Sequence, residues 1–297
     1  MLNVNEIVFN FSDIKHVLNF SFARNTTIGI GGKAPIAFYP KNQNELYKII
    51  CYFSKNNIKY TVLGQGANTL VSDNGFNGIV ICTKFLNNLY NTPDGKVYVE
   101  CGVTAEKLVK FCEEKSLSGT EFLAGIPATV GGLCYMNAGA NNVYIETIIN
   151  SIKVIKDCEI FDISKQNCKY SYKSSIFQTD NYFIVGCELL LKAGNRTEIS
   201  AKIRERRFAR EKLPKGRSLG CVFKNPNTFS AGELIDFCGW NGFSLGNAYI
   251  SQEHANFIIN KGGASSVDFL NLVSLIEKDV LAKKGVKLQR EFCYIGE

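Results

Sequence analysis

The chain of 297 residues has few of the side chains that build metal centres and histidine-based active sites. It contains two histidines, His16 and His254, and none of its eleven cysteines forms a C-x-x-C pair. Structural zinc sites need clustered cysteine and histidine ligands, so we predict no bound metal. Acid–base chemistry would then depend mainly on other side chains. Scattered cysteines in apolar stretches predict reduced core thiols rather than a disulfide framework.

The sequence also lacks long apolar runs and a leader-like N-terminus. Residues 183–191 form one of the longest apolar runs, and Glu188 interrupts it, whereas a membrane-spanning helix needs about 20 apolar residues. No basic segment followed by an apolar stretch and a small-residue cleavage site occurs at the start of the chain. We therefore expect a cytoplasmic protein that makes no membrane contact, and we predict a monomer.

Composition and charge narrow the class of partner. Hydrophobic residues make up 45% and charged residues 21% of the chain, values typical of a globular protein and not of a disordered one. The net charge is +7, and residues 202–224 alone contain nine basic side chains against Glu205 and Glu211. Such a segment attracts anions. No nucleic-acid-binding motif accompanies it, so we expect either a solvated helix face or a site for a phosphorylated small molecule, and no nucleic acid.

Hydrophobic periodicity and end signals predict the secondary structure. The length predicts about two domains, and the turn Ala193-Gly194-Asn195 is the expected boundary between them. Helices and strands follow from apolar spacing and from capping residues such as Thr104, Ser230 and Gly285. The predicted helices are 44–56, 104–114, 198–211, 231–238 and 267–284, and the predicted strands are 60–63, 79–82, 97–100, 151–155, 182–190 and 286–295.

The first glycine cluster does not form a Rossmann dinucleotide site. Residues 29–34 match the pattern G-x-G-x-x-A by letter. That fingerprint must follow a buried strand and precede an acidic residue by about 20 positions. Polar residues precede it here, and residues 49–54 are I-I-C-Y-F-S. The sequence therefore argues against a classical Rossmann fold.

Two later glycine clusters, residues 64–69 and 125–132, suit phosphate better. Consecutive N–H groups in a glycine-rich turn can surround an anion without a side chain in the way. A helix that begins near Thr129 would add N-terminal N–H groups, which favour a diphosphate. Each cluster alone is typical of an ordinary turn. The two together, with residues 137–140 just beyond, indicate a dinucleotide held outside a Rossmann fold.

Six ordered motifs resemble those of the UDP-N-acetylenolpyruvoylglucosamine reductase family. The resemblance extends from about Arg24 to the C-terminus, and the compact C-terminal half is similar to the shorter of the two family types. The motifs are N-T-T-x-x-x-G-G at 25–32, G-x-G-A-N at 64–68, G-I-P-A-T-V-G-G at 125–132, M-N-A-G-A at 136–140, G-C-V-F-K-N-P at 220–226 and S-x-x-H-A-N-F at 251–257.

This resemblance implies an α+β fold with an FAD-binding domain of the vanillyl-alcohol-oxidase (PCMH) type, followed by a smaller α+β substrate-binding domain. The implied boundaries are an N-terminal extension at 1–23, the FAD-binding domain at 24–193 and the substrate domain at 194–297. FAD would be bound non-covalently, because the flavin domain contains no histidine for attachment. The implied cofactor-binding residues are Gly64, Gly66, Ala67, Asn68, Gly125, Ile126, Pro127, Thr129, Gly131, Gly132, Asn137 and Ala138.

The family's reaction is that of a UDP-N-acetylmuramate dehydrogenase of peptidoglycan precursor synthesis. NADPH, the co-substrate, reduces FAD and leaves, and UDP-N-acetylglucosamine enolpyruvate then enters. Hydride passes from flavin N5 to C3 of the enol ether and C2 takes a proton, which yields UDP-N-acetylmuramate. Charge that develops at C2 and the carboxylate calls for a cation or hydrogen-bond donor beside it and a proton donor over C2.

The resemblance assigns three catalytic residues. Cys221 stands where the family generally has a serine proton donor, and Lys173 stands where it has a carboxylate-binding arginine. Glu291 matches the glutamate that helps to position and protonate the intermediate. The implied substrate-binding residues are Tyr172, Lys212 and Asn225, and we interpret His254 as a hydrogen-bonded structural histidine.

Two alternatives remain open at this point. One is an FAD-dependent oxidase on the same scaffold, which would use oxygen in place of NADPH. The other is an inactive flavin- or UDP-sugar-binding protein, since Lys173 and Cys221 replace the expected arginine and serine. The motifs of the C-terminal half, especially around Cys221, favour the reductase.

Overall fold

The computed structural model describes residues 3–227 and 229–296. Helices and short strands are mixed along the whole of this range, as expected for an α+β protein. The helices are α1 (Val4–Asn10), α2 (Gln43–Lys55), α3 (Ala105–Glu114), α4 (Val130–Met136), α5 (Arg196–Glu211), α6 (Ala231–Phe237) and α7 (Ser266–Lys284).

The strands are β1 (His16–Ser21), β2 (Lys33–Phe38), β3 (Tyr60–Leu63), β4 (Thr69–Val71), β5 (Ile79–Cys82), β6 (Leu89–Asn91), β7 (Val97–Glu100), β8 (Leu117–Ser118), β9 (Gly139–Ala140), β10 (Val143–Tyr144), β11 (Ile149–Lys156), β12 (Glu159–Ser164), β13 (Phe183–Leu189), β14 (Lys192–Ala193), β15 (Phe223–Lys224), β16 (Ser244–Leu245), β17 (Ala248–Ile250), β18 (Ile258–Asn260), β19 (Gln289–Arg290) and β20 (Cys293–Ile295).

Capping residues set the helix ends much as the sequence predicts. Thr104 accepts a hydrogen bond from the N–H of Lys107 at 3.1 Å, which satisfies one free donor at the start of α3. Ser230 forms a capping box with Glu233 at the start of α6. Helix α7 ends at Gly285, whose φ of 66° is left-handed and suits glycine.

The chain divides into two compact units that are discontinuous in sequence. Unit 1 comprises residues 1–17, 37–64 and 79–212, and unit 2 comprises 18–36, 65–78 and 213–297. The first two divisions fall inside β1 and β2. This division reflects packing within the fold and does not test the functional domain boundaries. The boundaries 1–23, 24–193 and 194–297 therefore stay a prediction. The units nevertheless show that two N-terminal segments pack with the C-terminal third.

Unit 1 is built around antiparallel strands. A five-stranded sheet has the order β12-β11-β13-β7-β6, and its central strand β13 is buried along most of its length. Two further strands of this unit, β3 and β5, pair in parallel. Helix α2 buries Leu46, Ile49, Ile50 and Phe53 on one face, the spacing expected of an amphipathic helix.

Unit 2 has its own hydrophobic core, to which all three of its chain segments contribute. Ile28 and Ile30 come from the first segment and Leu70 from the second, and they pack with side chains of α6 and α7. Burial of apolar area from distant segments holds them together. The antiparallel sheet β16-β17-β18 and the pairs β15-β19 and β20-β4 complete the unit.

The predicted strand 286–295 is wrong. Two short strands replace it, and they pair with different partners: β19 is antiparallel to β15, and β20 is parallel to β4. Glu291 and Phe292 lie between them, where the chain passes from one partner to the other. A change of partner interrupts the ladder even though the apolar pattern continues.

Candidate active site

Two of the predicted glycine turns meet in unit 1 through Gly64 and Thr129. A Cβ atom at Gly64 would lie 2.4 Å from Oγ1 of Thr129, closer than any side chain can pack. Thr129 itself is 5% exposed, so it cannot move aside into solvent. Glycine at position 64 therefore permits the close approach of the turn after β3 to the turn before α4.

The turn at residues 66–68 in unit 2 has the donors that an anion needs. Gly66 has a φ of 63°, and its carbonyl accepts the N–H of Thr27 at 3.2 Å. In the part of the chain that the structure describes, the N–H groups of Gly66, Ala67 and Asn68 donate to no backbone carbonyl. Three consecutive N–H groups of this kind fit a diphosphate such as that of FAD.

At the start of α4, in contrast, two backbone N–H groups already donate to carbonyl groups of the protein. The N–H of Val130 donates to the carbonyl of Val103 and the N–H of Gly131 to that of Cys101, each at 2.8 Å. These two groups are satisfied within unit 1, so a diphosphate at this turn would depend on others. Of the remaining predicted residues here, Gly125, Pro127 and Gly132 are exposed and Ile126 is half-buried.

Asn137 links the end of α4 to the segment that carries Tyr172 and Lys173. It is fully buried with a left-handed φ of 42°, and its Nδ2 donates to the carbonyl of Ser171 at 2.9 Å and to Glu146 at 3.2 Å. The N–H of Ala138 donates to the carbonyl of Leu133 at 2.9 Å. The side chain of Asn137 thus acts within unit 1, and it fixes the segment beside Lys173.

Lys173 lies in a tight turn that side chains hold in place. Ser171 and Ser174 exchange backbone hydrogen bonds at 3.1 Å, and Lys173 between them has a φ of 53°. Ser175 and Gln178 both donate to the carbonyl of Tyr135, at 2.6 Å and 3.0 Å. A left-handed backbone conformation is energetically unfavourable for lysine, and the hydrogen bonds on both sides of Lys173 offset this cost. The fold therefore specifies the position of Lys173.

Tyr172 precedes Lys173 in the same turn and is 41% exposed. Its ring meets that of Tyr144 edge to face, with centroids 6.1 Å apart. The phenol is therefore partly exposed to solvent, while the ring packs against Tyr144 on one side.

In unit 2 the segment 221–223 lies between two other segments, 256–257 and 290–291, and is hydrogen-bonded to both. Cys221 pairs with Phe257 on one side, and the N–H of Val222 donates to the carbonyl of Asn256 at 2.9 Å. The side chain of Asn256 accepts the N–H of Phe223 at 2.9 Å and donates to its carbonyl at 2.8 Å. Asn256 is 1% exposed, so these bonds form away from water.

Glu291 lies on the other side of that segment. Its N–H donates to the carbonyl of Val222 at 2.8 Å, next to the antiparallel pairing of β15 with β19. Nδ2 of Asn68 donates to the carbonyl of Glu291 at 3.0 Å. Unit 2 therefore brings together three predicted site residues that are far apart in sequence: Asn68, Cys221 and Glu291.

Lys212 and Asn225 each follow directly after a helix or strand of their own unit. Lys212 follows α5 in unit 1 and holds its ammonium group over the ring of Phe208, 5.1 Å from the centroid. Asn225 is exposed in unit 2, and its Oδ1 accepts the N–H of Ala231 at 3.0 Å. Both side chains already have a partner within their own unit.

His254 is structural, as the sequence indicates. Its Nδ1 accepts the N–H of Asn256 at 3.2 Å, and its ring packs against Phe257. Burial lowers the pKa of this imidazole. The neutral form is the one that can accept this hydrogen bond, so His254 supports the Asn256 turn rather than serving as a proton donor.

Sequence reasoning overlooked Asn256. Asn256 lies inside the motif H-A-N-F, but the sequence does not show that its side-chain amide is hydrogen-bonded to Phe223, 33 positions earlier. The available signal was a polar residue followed by apolar positions 257–259 that the structure buries. A buried amide between apolar neighbours must find partners, and backbone groups of a neighbouring segment are the usual ones.

The site residues suit FAD and the reduction of an activated alkene. Among the described residues, the three N–H groups of the 66–68 turn donate to no backbone carbonyl, and no histidine occurs at residues 24–193 for covalent attachment. Cys221 has a thiol and Glu291 a carboxylate, groups that can take part in proton transfer, and Lys173 has a cation that can stabilise negative charge. Burial raises the pKa of the nearby Cys293 thiol, which makes it a poor nucleophile.

The described residues include neither a membrane-spanning helix nor a metal-binding cluster. Among residues 3–227 and 229–296, no helix is long and apolar enough to cross a membrane. Within the same ranges, no cluster of three or more histidine, cysteine, aspartate or glutamate side chains is arranged to hold a metal ion.

Comparison with protein families and curated relatives gives consistent matches. A family model for the C-terminal domain of UDP-N-acetylenolpyruvoylglucosamine reductase matches residues 211–295, and a model for an FAD binding domain matches residues 34–159. The reductase of that name from Carboxydothermus hydrogenoformans is 38% identical over 94% of this chain and 93% of its own length. The one from Caldanaerobacter subterraneus subsp. tengcongensis is 36% identical over 95% and 94%.

A solved structure resembles the whole fold. The crystal structure of UDP-N-acetylenolpyruvylglucosamine reductase from Thermus caldophilus superposes with a TM-score of 0.82 at 32% sequence identity. The match covers 95% of this chain and 99% of that one, so the similarity includes both units.

Proposed function

This chain belongs to the UDP-N-acetylenolpyruvoylglucosamine reductase family, and we propose that Cys221, Glu291 and Lys173 carry out the family's reaction in it. It is an FAD-containing, NADPH-dependent oxidoreductase that reduces UDP-N-acetylglucosamine enolpyruvate to UDP-N-acetylmuramate in peptidoglycan precursor synthesis. Its FAD-binding domain is of the vanillyl-alcohol-oxidase type.

Bound FAD would supply the hydride chemistry of the reaction, with NADPH as the hydride source and C3 of the enolpyruvyl group as the acceptor. Addition at C3 leaves negative charge at C2 that spreads into the substrate carboxylate. The side chains of this protein must therefore stabilise that carboxylate and deliver a proton to C2. These two tasks define the proposed roles.

Cys221 is the proposed proton donor. A thiol has an ordinary pKa of about 8.5 and is far more acidic than a serine hydroxyl, so it can give up its proton readily. The observation that supports this role most directly is the placement of residues 220–223 between Asn256 and Glu291 in unit 2. Both neighbouring segments restrain the backbone of Cys221, which a positioned proton donor requires.

Glu291 is proposed to orient the donor and the developing intermediate. Its backbone is bonded on one side to Val222 and on the other to Asn68, so its carboxylate extends from a fixed point. Lys173 is proposed to stabilise the substrate carboxylate. Lysine keeps the positive charge of the family's arginine but not its planar two-pronged contact.

The residues that bind FAD and the substrate are also proposed from the family resemblance. The turns at 64–68 and 125–132, with Asn137 and Ala138, are proposed to hold FAD, and Tyr172, Lys212 and Asn225 to hold the substrate. The cationic stretch 202–224 suits the negative diphosphate of a UDP-sugar. We further infer a monomer that works in the cytoplasm, where NADPH and nucleotide sugars are made.

One assay separates this function from its alternatives. The purified yellow protein is mixed with NADPH under nitrogen, with and without UDP-N-acetylglucosamine enolpyruvate, and loss of NADPH absorbance is followed. We expect turnover that depends on the enolpyruvyl substrate. Turnover that requires oxygen instead would indicate an oxidase, and bound flavin without turnover would indicate an inactive binding protein.

A further inference from the structure

Two pairs of cysteines in unit 1 have thiols in hydrogen-bonding contact. They are Cys51 with Cys158 and Cys134 with Cys187. Cys134 and Cys187 are both 0% exposed, so a dissolved oxidant cannot reach either sulfur. Cys158 is half-buried, and Cys51 behind it is 8% exposed. Of these two pairs, only the first is accessible from solution.

The fold holds the accessible pair together. Cys51 lies on α2, and Cys158 lies in the turn between β11 and β12 with a φ of 60°. Sγ of Cys158 is 3.8 Å from the carbonyl oxygen of Cys51. Tyr47, one helical turn before Cys51, donates its hydroxyl to the carbonyl of Cys158 at 2.8 Å. The hairpin turn is thus anchored to α2 beside Cys51.

We propose that Cys51 and Cys158 form a reversible disulfide when the protein meets a hydroperoxide. The thiol of Cys158 releases its proton, and the thiolate attacks one oxygen of hydrogen peroxide and breaks the O–O bond; the departing hydroxide takes up the released proton, which gives a sulfenic acid and one water. The sulfur of Cys51 then attacks that sulfenic sulfur and expels a second water. In sum, two thiols and one hydrogen peroxide give one disulfide and two waters.

Exposure and charge set the order of the two steps. Cys158 is oxidised first because it is the sulfur that peroxide can reach. Burial, together with the contact with Cys158, raises the pKa of the Cys51 thiol to about 11, although Tyr47 and Lys55 act in the opposite direction. Closure by Cys51 is therefore the slower step at neutral pH. A dithiol such as dithiothreitol returns both cysteines to thiols and is itself oxidised to a disulfide.

Peptide mapping tests the proposal on the purified flavoprotein. The protein is treated with hydrogen peroxide, blocked with iodoacetamide without reductant and digested with trypsin. Cleavage at Lys48, Lys55, Lys156 and Lys165 gives the peptides IICYFSK and DCEIFDISK. We expect these two peptides to appear joined, with two hydrogen atoms fewer than their sum, and to separate after dithiothreitol. The crosslink should also raise the melting temperature by about 5 °C.

Matched variants decide which sulfurs react. Cys158→Ser should abolish both the joined peptide and the thermal shift, whereas Cys238→Ser, which removes another half-buried cysteine, should change neither. The proposal is overturned if peroxide leaves both peptides separately alkylated, if Cys158 accumulates as a sulfinic acid without a link, or if Cys51 is joined to a different cysteine. The peptide map of the wild-type protein shows which cysteines are joined even if a variant fails to fold.

Discussion

The side chain of Asn68 donates a hydrogen bond to the backbone carbonyl of Glu291, 3.0 Å away and 223 positions later in the chain. The carbonyl of Asn68 in turn accepts the N–H of Cys293 at 2.9 Å. One asparagine therefore ties a glycine-rich turn proposed to hold FAD to the segment that carries a proposed catalytic carboxylate. Both partners belong to unit 2.

Replacement of Asn68 by alanine should loosen the Glu291 segment. Loss of one hydrogen bond is expected to lower the free energy of unfolding by about 1 kcal/mol. We expect oxidation of the reduced flavin by the enolpyruvyl substrate to slow by about tenfold, a barrier change of about 1.4 kcal/mol. Stopped-flow absorbance measures this step, and Asn247→Ala, which truncates an exposed asparagine of unit 2 outside the proposed FAD-binding turns, is the control. Unchanged stability and rate in Asn68→Ala would show that this bond is dispensable.

Removal of the Asn256 amide should lower the free energy of unfolding by more than removal of the Asn68 amide. Asn256→Leu leaves the N–H and the carbonyl of Phe223 without their partner in a site where Asn256 is 1% exposed. Two buried unsatisfied groups are expected to lower the free energy of unfolding by about 2–4 kcal/mol. Urea unfolding measures the loss, with the exposed Asn247→Leu as the control. Equal stability of the two variants would contradict the assigned role.

The buried imidazole of His254 predicts a pH dependence. Its pKa in the folded protein is below the ordinary 6.5, so the unfolded chain binds a proton first as the pH falls. Its contribution to stability is therefore present above about pH 6.5 and is lost as the pH falls through the folded pKa. The melting temperature of the wild type should drop more between about pH 7.5 and about pH 5.5 than that of His254→Gln. Parallel curves for the two proteins would rule out this contribution.

Lys173 should act in one half-reaction. Lys173→Ala is expected to slow flavin oxidation by the enolpyruvyl substrate by at least about tenfold, because a stabilising charge is lost, while flavin reduction by NADPH changes much less. Lys173→Arg, which restores the family's residue, should retain the rate. Lys169→Ala is the matched control, since Lys169 is also a lysine with a left-handed φ, of 48°. Equal slowing of both half-reactions in Lys173→Ala would count against the role.

Local features of the fold could be predicted from the sequence, and long-range ones could not. Helix α3 after Thr104 and helix α7 before Gly285 carry both a regular apolar spacing and a capping residue, and both are confirmed. The split of the predicted strand 286–295 depends on which strands β19 and β20 pair with. Hydrophobic alternation shows a strand's faces but not its partner.

The candidate site shows the same limit. The sequence motifs located Cys221, Glu291 and Asn68, but only the folded structure shows that Asn68 is hydrogen-bonded to Glu291 and Asn256 to Phe223. Packing of residues 18–36 and 65–78 with the C-terminal third also has no local signal. Such contacts come from burial of apolar groups in a common core, which depends on the whole chain.

The role of Cys221 is tested most directly by the rate at which the enolpyruvyl substrate oxidises the reduced flavin in Cys221→Ala and Cys221→Ser. Removal of a general acid typically costs about a hundredfold to ten-thousandfold in rate. We predict a loss of that size in Cys221→Ala, substantial activity in Cys221→Ser and unchanged flavin reduction by NADPH in both. Wild-type rates of substrate reduction in Cys221→Ala would contradict the account.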